Sequence, residues 1–191
     1  MLDPDLISSA LERHLPRALP QAGLRPAAVL LPIYRRQGRD TVLLTRRSDR
    51  LNHHRGEISF PGGARNADDV DLRATALRET EEEMGIRAGD VSVLGRLDDF
   101  VSVAGYHVTP FVGTFRYPYP FVVNREEIAE VLEVDLEQLR DPAVFRKENW
   151  SHRGRQFPVC FYTVDGNEIW GLTAAILRQF LKRVSLRGQV A

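Results

Sequence analysis

Four acidic residues crowd the stretch RETEEEMG, residues 78–85, where like charges repel one another. In a helix, Glu79, Glu82 and Glu83 stand at positions i, i+3 and i+4 and therefore share one face. A solvated acidic face normally interleaves lysines, and this stretch has none. Three clustered carboxylates supply the oxygen ligands that Mg²⁺ takes in proteins. The spacing alone leaves two interpretations open: an acidic surface helix or a divalent-metal site.

The segments around this stretch must form a helix with defined ends to present the carboxylates. The pattern predicts a helix over about 69–84, with Asp68 or Asp69 as N-cap and Gly85 just past the end. Before it, FPGG at 60–63 predicts a turn whose glycines let the backbone approach a ligand. A glycine turn leading into a carboxylate helix favours the metal site over the surface helix.

The rest of the chain combines strand patterns with two further helix patterns. A helix is predicted for DPDLISSALERHL, capped by Asp3, and another near the C-terminus with Ile176, Leu177 and Phe180 on one face. The acidic stretch 124–141 predicts a helical turn, a strand and a short helix. Predicted strands are AAVLLPIY, TVLLT, EISF, VSVLGRLDDFVSV, YHVTPFVGTF and the hairpin pair FPVCFYTV and NEIW. This mixture favours an α/β sandwich, a sheet with helices on both faces.

Length and composition narrow the class of protein. The 191 residues predict a single domain over 1–191, in which residues 1–24 form an N-terminal helix and connector. Cys160 is the only cysteine, which excludes an intramolecular disulfide and a cysteine-based zinc cluster. The net charge of zero gives no general attraction to nucleic acid or anionic membranes. We expect a cytoplasmic protein with a small-molecule substrate, no nucleic-acid or membrane partner, and a monomeric or homodimeric state.

The segment GGARNADDVDLRATALRETEEEMGI resembles the Nudix box, which here spans about 63–86. The match falls in register at Arg78, Glu79, Glu82, Glu83, Gly85 and Ile86. The resemblance implies the Nudix-type α/β/α sandwich with a mixed sheet, and makes the box its loop–helix–loop catalytic element. It also implies that the three glutamates bind Mg²⁺ or Mn²⁺ and that the arginine pairs with an acid upstream.

The box departs from the family pattern by one inserted residue. Counted back from Arg78, Gly63 and Asp69 each sit one position early. Asp69 is the expected partner of Arg78, with Asp68 and Asp71 as alternatives. The insertion therefore leaves the arginine an acid within reach.

By the same resemblance, the reaction is hydrolysis of a diphosphate linked to another moiety. Glu82 and Glu83 are expected to ligate the metal directly, together with Glu79. The base that assists the attacking water is either Glu79 or Glu127, which lies in the later acidic segment. For Glu127 the alternative is an exposed loop acid.

The stretch LLTRRSDRLNHHRGEISFPGG, residues 43–63, resembles the extra motif of the coenzyme A pyrophosphatase subfamily. The matching residues are Leu43, Leu44, Thr45, Arg47, Ser48, Gly56, Phe60, Pro61, Gly62 and Gly63. Asn52 stands where the motif has its second arginine, and Arg50 or Arg55 could substitute for it. The expected substrate-binding residues are Arg47, Ser48, Arg55, Gly62 and Gly63.

The resemblance to that subfamily implies cleavage of coenzyme A or acyl-CoA to 3′,5′-ADP and 4′-phosphopantetheine or its acyl form. The alternatives are another nucleotide substrate, such as a nucleoside triphosphate, ADP-ribose or a nucleotide sugar, and a non-catalytic Nudix-fold binding module. His53 and His54 are predicted to be surface residues rather than phosphate ligands. Tyr106, Trp150 and Trp170 could stack on adenine or belong to the core.

Overall fold

The computed structural model describes residues 3–20, 23–50, 55–152 and 154–185. Its helices are α1 (Pro4–Glu12), α2 (Leu72–Met84) and α3 (Gly171–Ser185). Its strands are β1 (Arg25–Arg36), β2 (Arg39–Arg47), β3 (Ile58–Ser59), β4 (Gly62–Ala64), β5 (Ser92–Arg96), β6 (Phe100–Val101), β7 (Tyr106–Thr114), β8 (Ile128–Asp135), β9 (Phe145–His152), β10 (Arg155–Val164) and β11 (Asn167–Trp170). Short 3-10 turns occur at Ala88–Asp90, Gln138–Arg140 and Pro142–Val144.

Strand β1 is the central strand of a mixed sheet that runs in the order β3-β2-β1-β7-β5. It is parallel to β7 and antiparallel to β2 and β4, while β8 pairs with β2 and β6 with β7. In β1, Ala28 lies beside Thr109 of β7 and Gly63 of β4. The prediction of a turn at FPGG was wrong for the glycines, because β1 recruits them into the sheet as β4.

Side chains of the sheet alternate between two cores, as the period of two in a strand requires. Leu30 and Leu43 face α2, whereas Leu31 and Leu44 face α1, α3 and the second sheet. That second sheet is antiparallel, in the order β11-β10-β9. The predicted α/β/α sandwich is confirmed, with this three-stranded sheet added on the α3 side. Strand β9 was not predicted, because FRKENWSH contains too few apolar residues to show alternation.

The N-cap of helix α2 lies three residues after Asp68, the earlier of the two predicted caps. Asp71 is the N-cap, and its side chain accepts a hydrogen bond from the Ala74 amide. Asp68 and Asp69 were therefore the wrong N-cap predictions, and Asp69 has the separate role described below. The predicted end is confirmed: Gly85 adopts φ 70°, a left-handed conformation that glycine takes without a Cβ clash.

The long strand predicted from VSVLGRLDDFVSV is broken into β5 and β6. At the break, the Asp98 amide donates to the Gln179 side chain of α3, and the Asp99 amide donates to the Arg17 carbonyl of the N-terminal connector.

On α1, Ile7 and Leu11 are buried against the sheet. Within the described ranges, none of the helices has the length and apolar character needed to cross a membrane.

Candidate active site

Arg78 joins α2 to the loop and strand that precede it. Its guanidinium forms two hydrogen bonds with Asp69, Nε to Oδ1 at 2.9 Å and Nη2 to Oδ2 at 3.1 Å, and a third with the Ala64 carbonyl at 3.1 Å. The buried Asp69 carboxylate also accepts from the Asn66 amide and the Thr75 hydroxyl. These bonds, foremost those from Arg78, hold the pKa of Asp69 well below its usual range. The expected acid partner of Arg78 is therefore Asp69.

The three glutamates of the box lie at different depths on the helix. Nη1 of Arg78 lies 2.9 Å from both Glu79 Oε1 and Glu82 Oε2. The Glu82 side chain is 55% exposed and that of Glu79 is 17% exposed, whereas Glu83 is buried. Burial raises the pKa of Glu79 despite the adjacent guanidinium. Helix spacing thus places the carboxylates along one side, but only Glu82 faces solvent.

Glu83 is a buried carboxyl group that is only partly satisfied by the protein. The Gly62 amide donates to it, yet its Oε2 has no hydrogen-bond partner within the described residues. Burial raises its pKa to about 8, an effect that the Arg47 guanidinium opposes and the charges of Glu79 and Glu127 increase. A buried oxygen without a donor marks a place where a positive charge would be stabilised.

Glu127 reaches this region from a loop that returns over the end of α2. The Asn124 amide donates to the Glu83 carbonyl at 2.9 Å, and the Ser48 amide donates to the Glu127 carbonyl at 2.7 Å. Glu127 is close enough for its charge to raise the pKa of both Glu79 and Glu83. It is half-buried. The structure therefore brings a fourth carboxylate to the three on α2.

The predicted substrate-binding residues surround the same carboxylates only in part. Arg47, at the end of β2, lies next to Glu83, and its Nε is buried without a hydrogen-bond partner among the described residues. Ser48 is buried, and its Oγ accepts from the Arg50 amide, so this hydroxyl stabilises a turn. Arg55 is exposed. Arg47 is thus the one predicted substrate arginine that the structure places beside the box.

Several other residues lie away from the box carboxylates or outside the described residues. Arg46 bonds Glu130 and Asn167, which ties β2 to β8 and β11. Trp150 and Trp170 are partly exposed on the small sheet, with ring centroids 5.6 Å apart, so of the two alternatives the core does not hold for them. Tyr106 packs under the Arg25 guanidinium. Asn52, His53 and His54 lie outside the described residues.

Comparison with protein families gives a match that includes α2, β4 and the loop to Glu127. The model of the NUDIX domain matches residues 23–154. This chain belongs to the Nudix family. An uncharacterized Nudix hydrolase, NudL, of Yersinia pestis is 43% identical over 162 residues, which cover 85% of this chain and 81% of the relative. A NudL of Yersinia pseudotuberculosis shows the same identity and coverage.

Solved structures support the Nudix fold at low sequence identity. A MutT/nudix family protein from Enterococcus faecalis has a TM-score of 0.55 and 15% identity, over 97% of this chain and 70% of that chain. The MutT protein from Methanosarcina mazei has a TM-score of 0.52 and 18% identity, over 93% of this chain and 99% of that chain. These likenesses concern the fold alone, and they agree with the sandwich described above.

The Nudix box carries donors that fit a hard divalent cation, the kind of ion that Nudix hydrolases generally use. As placed, no three acidic, histidine or cysteine side chains within the described ranges converge on one point. In this arrangement Nη1 of Arg78 contacts both Glu79 and Glu82. Oε2 of Glu83, which is buried beside Glu79 and has no hydrogen-bond partner among the described residues, is nevertheless a carboxylate oxygen of the type that Mg²⁺ and Mn²⁺ prefer, although the Arg47 guanidinium lies next to the same carboxyl. The residues present therefore fit the cation.

Two supports of the Nudix box were missed by sequence reasoning. The Thr75 hydroxyl holds Asp69, and the Ala64 carbonyl holds Arg78. Thr75 lies one turn before Arg78 on the same helix, and this spacing could have revealed it. No side-chain pattern reports a backbone carbonyl, so the contribution of Ala64 had no sequence signal.

Gly63 has no side chain, and the Glu79 carboxylate occupies the space that a Cβ at this position would fill. A Cβ built at residue 63 would lie 2.5 Å from Glu79 Cδ and Oε2, far inside contact distance. We expect Gly63→Ala to displace Glu79 and to lower kcat/KM by about 10- to 100-fold, the usual loss when an orienting contact near a metal site is disturbed. Steady-state kinetics on the folded variant measure this loss.

Gly89→Ala is the matched control for that prediction, because a Cβ at residue 89 meets nothing within 4 Å. Its kcat/KM should stay within about twofold of the wild-type value, as is usual for a surface substitution away from packed features. Equal activity of the Gly63→Ala and Gly89→Ala variants would contradict the steric account.

Proposed function

We propose that this Nudix protein is a metal-dependent pyrophosphohydrolase that acts on a nucleoside diphosphate derivative. We further propose that its substrate is coenzyme A or acyl-CoA, cleaved to 3′,5′-ADP and 4′-phosphopantetheine or its acyl form. The observation that carries the reaction type is the buried Glu83 carboxyl, which lies near Glu79 and accepts from the Gly62 amide of β4 but keeps one oxygen without a partner among the described residues. The substrate class is supported by the motif at 43–63, which brings Arg47 beside Glu83.

In this proposal Glu79, Glu82 and Glu83 hold Mg²⁺ or Mn²⁺. The bound ion supplies positive charge against the diphosphate oxygens. Arg78 orients Glu79 and Glu82 through its contacts with both, while its pair with Asp69 holds the guanidinium in position. These contacts keep two of the three proposed ligands beside Arg78 on one side of the helix.

The hydrolytic step needs a group that accepts a proton. Water oxygen attacks one phosphorus, the bond from that phosphorus to the bridging oxygen breaks, and the water proton passes to a carboxylate. Glu127 and Glu79 are the two carboxylates proposed for this role. Of these, Glu127 is the better acceptor, because Glu79 already contacts Arg78 and serves the cation.

On the substrate side, Arg47 and Arg55 are proposed to contact phosphate groups, for which guanidinium forks are suited. Ser48 stabilises the turn that follows Arg47, and Gly62 and Gly63 keep β4 close to the box carboxylates. Coenzyme A carries a diphosphate and a 3′-phosphate, so more than one positive group is required.

A second candidate substrate class is favoured by Asn52, which replaces an arginine of the coenzyme A motif. Without that arginine, ADP-ribose, a nucleotide sugar or a nucleoside triphosphate becomes the alternative. A non-catalytic binding module has less support, because Glu79, Glu82 and Glu83 are all present.

Product analysis by chromatography tests the proposal. The purified protein is given coenzyme A, ADP-ribose or a nucleoside triphosphate, each with Mg²⁺, with Mn²⁺, or with a chelator. We expect coenzyme A to be converted fastest, to 3′,5′-ADP and 4′-phosphopantetheine, and only with metal. Faster turnover of another substrate would replace the substrate class, and turnover that survives the chelator would overturn the metal-dependent reaction.

A further inference from the structure

The loop that carries Glu127 is fastened to the end of α2. The last carbonyls of a helix have no partner within the helix. Here the Val122 amide donates to the Met84 carbonyl at 3.0 Å, and the Asn124 amide donates to the Glu83 carbonyl at 2.9 Å. The loop therefore follows the position of the very residue whose carboxyl group is proposed to bind metal.

Asn124 is the residue of this loop with the most directed contacts. Its side-chain Nδ2 donates to Glu127 Oε1 at 3.1 Å, and its Oδ1 accepts from the Glu126 amide at 3.1 Å. Its carbonyl accepts from the Glu127 and Ile128 amides. Asn124 thus bonds α2 through its backbone amide and forms the turn through its backbone carbonyl and Oδ1. Its Nδ2 contacts the Glu127 carboxylate.

The Glu127 carboxylate needs such a donor to stay near the box. Glu79 and Glu83 repel it, and as a half-buried side chain it can turn outward to water. The side-chain amide of Asn124 supplies this donor, and a hydrogen bond to an ionised carboxylate is among the stronger kinds. This hydrogen bond from the side-chain amide of Asn124 offsets the repulsion and sets the direction of the Glu127 carboxylate.

We infer that Asn124 is a positioning residue that holds the Glu127 carboxylate toward the box, ready to accept the proton of the attacking water. The inference deepens the proposed function and rests on it. It assigns the positioning of the Glu127 carboxylate to the Nδ2 donor, whereas Oδ1 stabilises the turn. These two atoms can be separated by substitution.

The test compares Asn124→Asp, Asn124→Ala and Glu127→Gln, alone and combined. Asn124→Asp keeps the Oδ1 acceptor for Glu126 but removes the Nδ2 donor. We expect Asn124→Asp and Asn124→Ala each to lower kcat by about 10- to 100-fold, with KM changed less than about threefold. In the Glu127→Gln background, Asn124→Ala should cost less than about threefold, because the two residues act as a unit.

Asn149→Ala, at an exposed position of β9, is the control and should leave kcat unchanged. Full activity of Asn124→Asp, or additive losses in the double variant, would overturn the inference. Crystal structures of the wild type and Asn124→Asp give a readout that is independent of turnover. An inactive wild type would contradict the proposed function, whereas a Glu127 carboxylate unmoved in Asn124→Asp would contradict the positioning role.

Discussion

Replacing Glu83 with glutamine is expected to lower kcat by at least about 10²- to 10³-fold while the protein stays folded. Losses of this size follow when a group that stabilises developing charge in the transition state is removed. The fold should persist because glutamine has nearly the same shape, and because burial raises the pKa of the Glu83 carboxyl and so favours its neutral form. Steady-state kinetics and thermal unfolding, with and without Mn²⁺, measure both effects.

In the wild type, Mn²⁺ should raise the melting temperature, since a ligand that binds only the native state stabilises it. That rise should be reduced or lost in Glu83→Gln. Glu81→Gln is the matched control, because Glu81 is exposed on the same helix and its carboxylate accepts a hydrogen bond from the Ala88 backbone amide. A Glu83→Gln variant with wild-type kcat would remove Glu83 from the proposed metal ligands.

Asp69→Asn is the substitution expected to cost the most stability. It removes the charge that pairs with Arg78 in a largely buried position. Breaking such a pair costs several kcal/mol, and because the Arg78 side chain is 24% exposed we expect about 2–3 kcal/mol. Urea unfolding at pH 7 measures the loss. Asp68→Asn, one residue away and exposed, should change stability by less than about 0.5 kcal/mol.

The same pair predicts how the effect of Asp69→Asn depends on pH. The pKa of Asp69 is lowered in the folded state, so its stabilisation is fully present above the unfolded pKa of about 4. It is lost as the pH falls below that value toward the folded pKa. The difference in unfolding free energy between wild type and Asp69→Asn should therefore be constant from pH 7 to pH 5 and shrink below pH 4. A difference that grows on acidification would contradict the ion pair as its source.

Local chemistry determined the parts of this protein that a single segment specifies. The spacing of Glu79, Glu82 and Glu83, the end of α2 at Gly85 and the hairpin turn between β10 and β11 follow from helix periodicity and turn preferences of neighbouring residues. The register of the box also specified the Nudix family, which the match over residues 23–154 confirms. The coenzyme A substrate class stays a prediction of the motif at 43–63.

Choices among equivalent neighbours were decided by the tertiary structure. Asp68, Asp69 and Asp71 all suit a helix start. In the structure Asp71 caps α2, whereas Asp69 pairs with Arg78, whose guanidinium also donates to the Ala64 carbonyl on β4. Likewise, pairing with β1 places Gly62 and Gly63, which were expected in a turn, in strand β4.

Burial depth and long-range pairing separate what the sequence determined from what it left open. Helix spacing puts three glutamates on one side, but the sheet beneath α2 buries Glu83 and leaves Glu82 in solvent. Asn124 lies about forty positions from the box, and only the folded loop brings its amide to Glu83 and its side chain to Glu127. Local sequence determines which groups a segment carries, whereas contacts between distant segments decide which of those groups face each other. The entropic cost of closing a loop grows only slowly with its length, so the distance between two segments along the chain does not determine whether they meet.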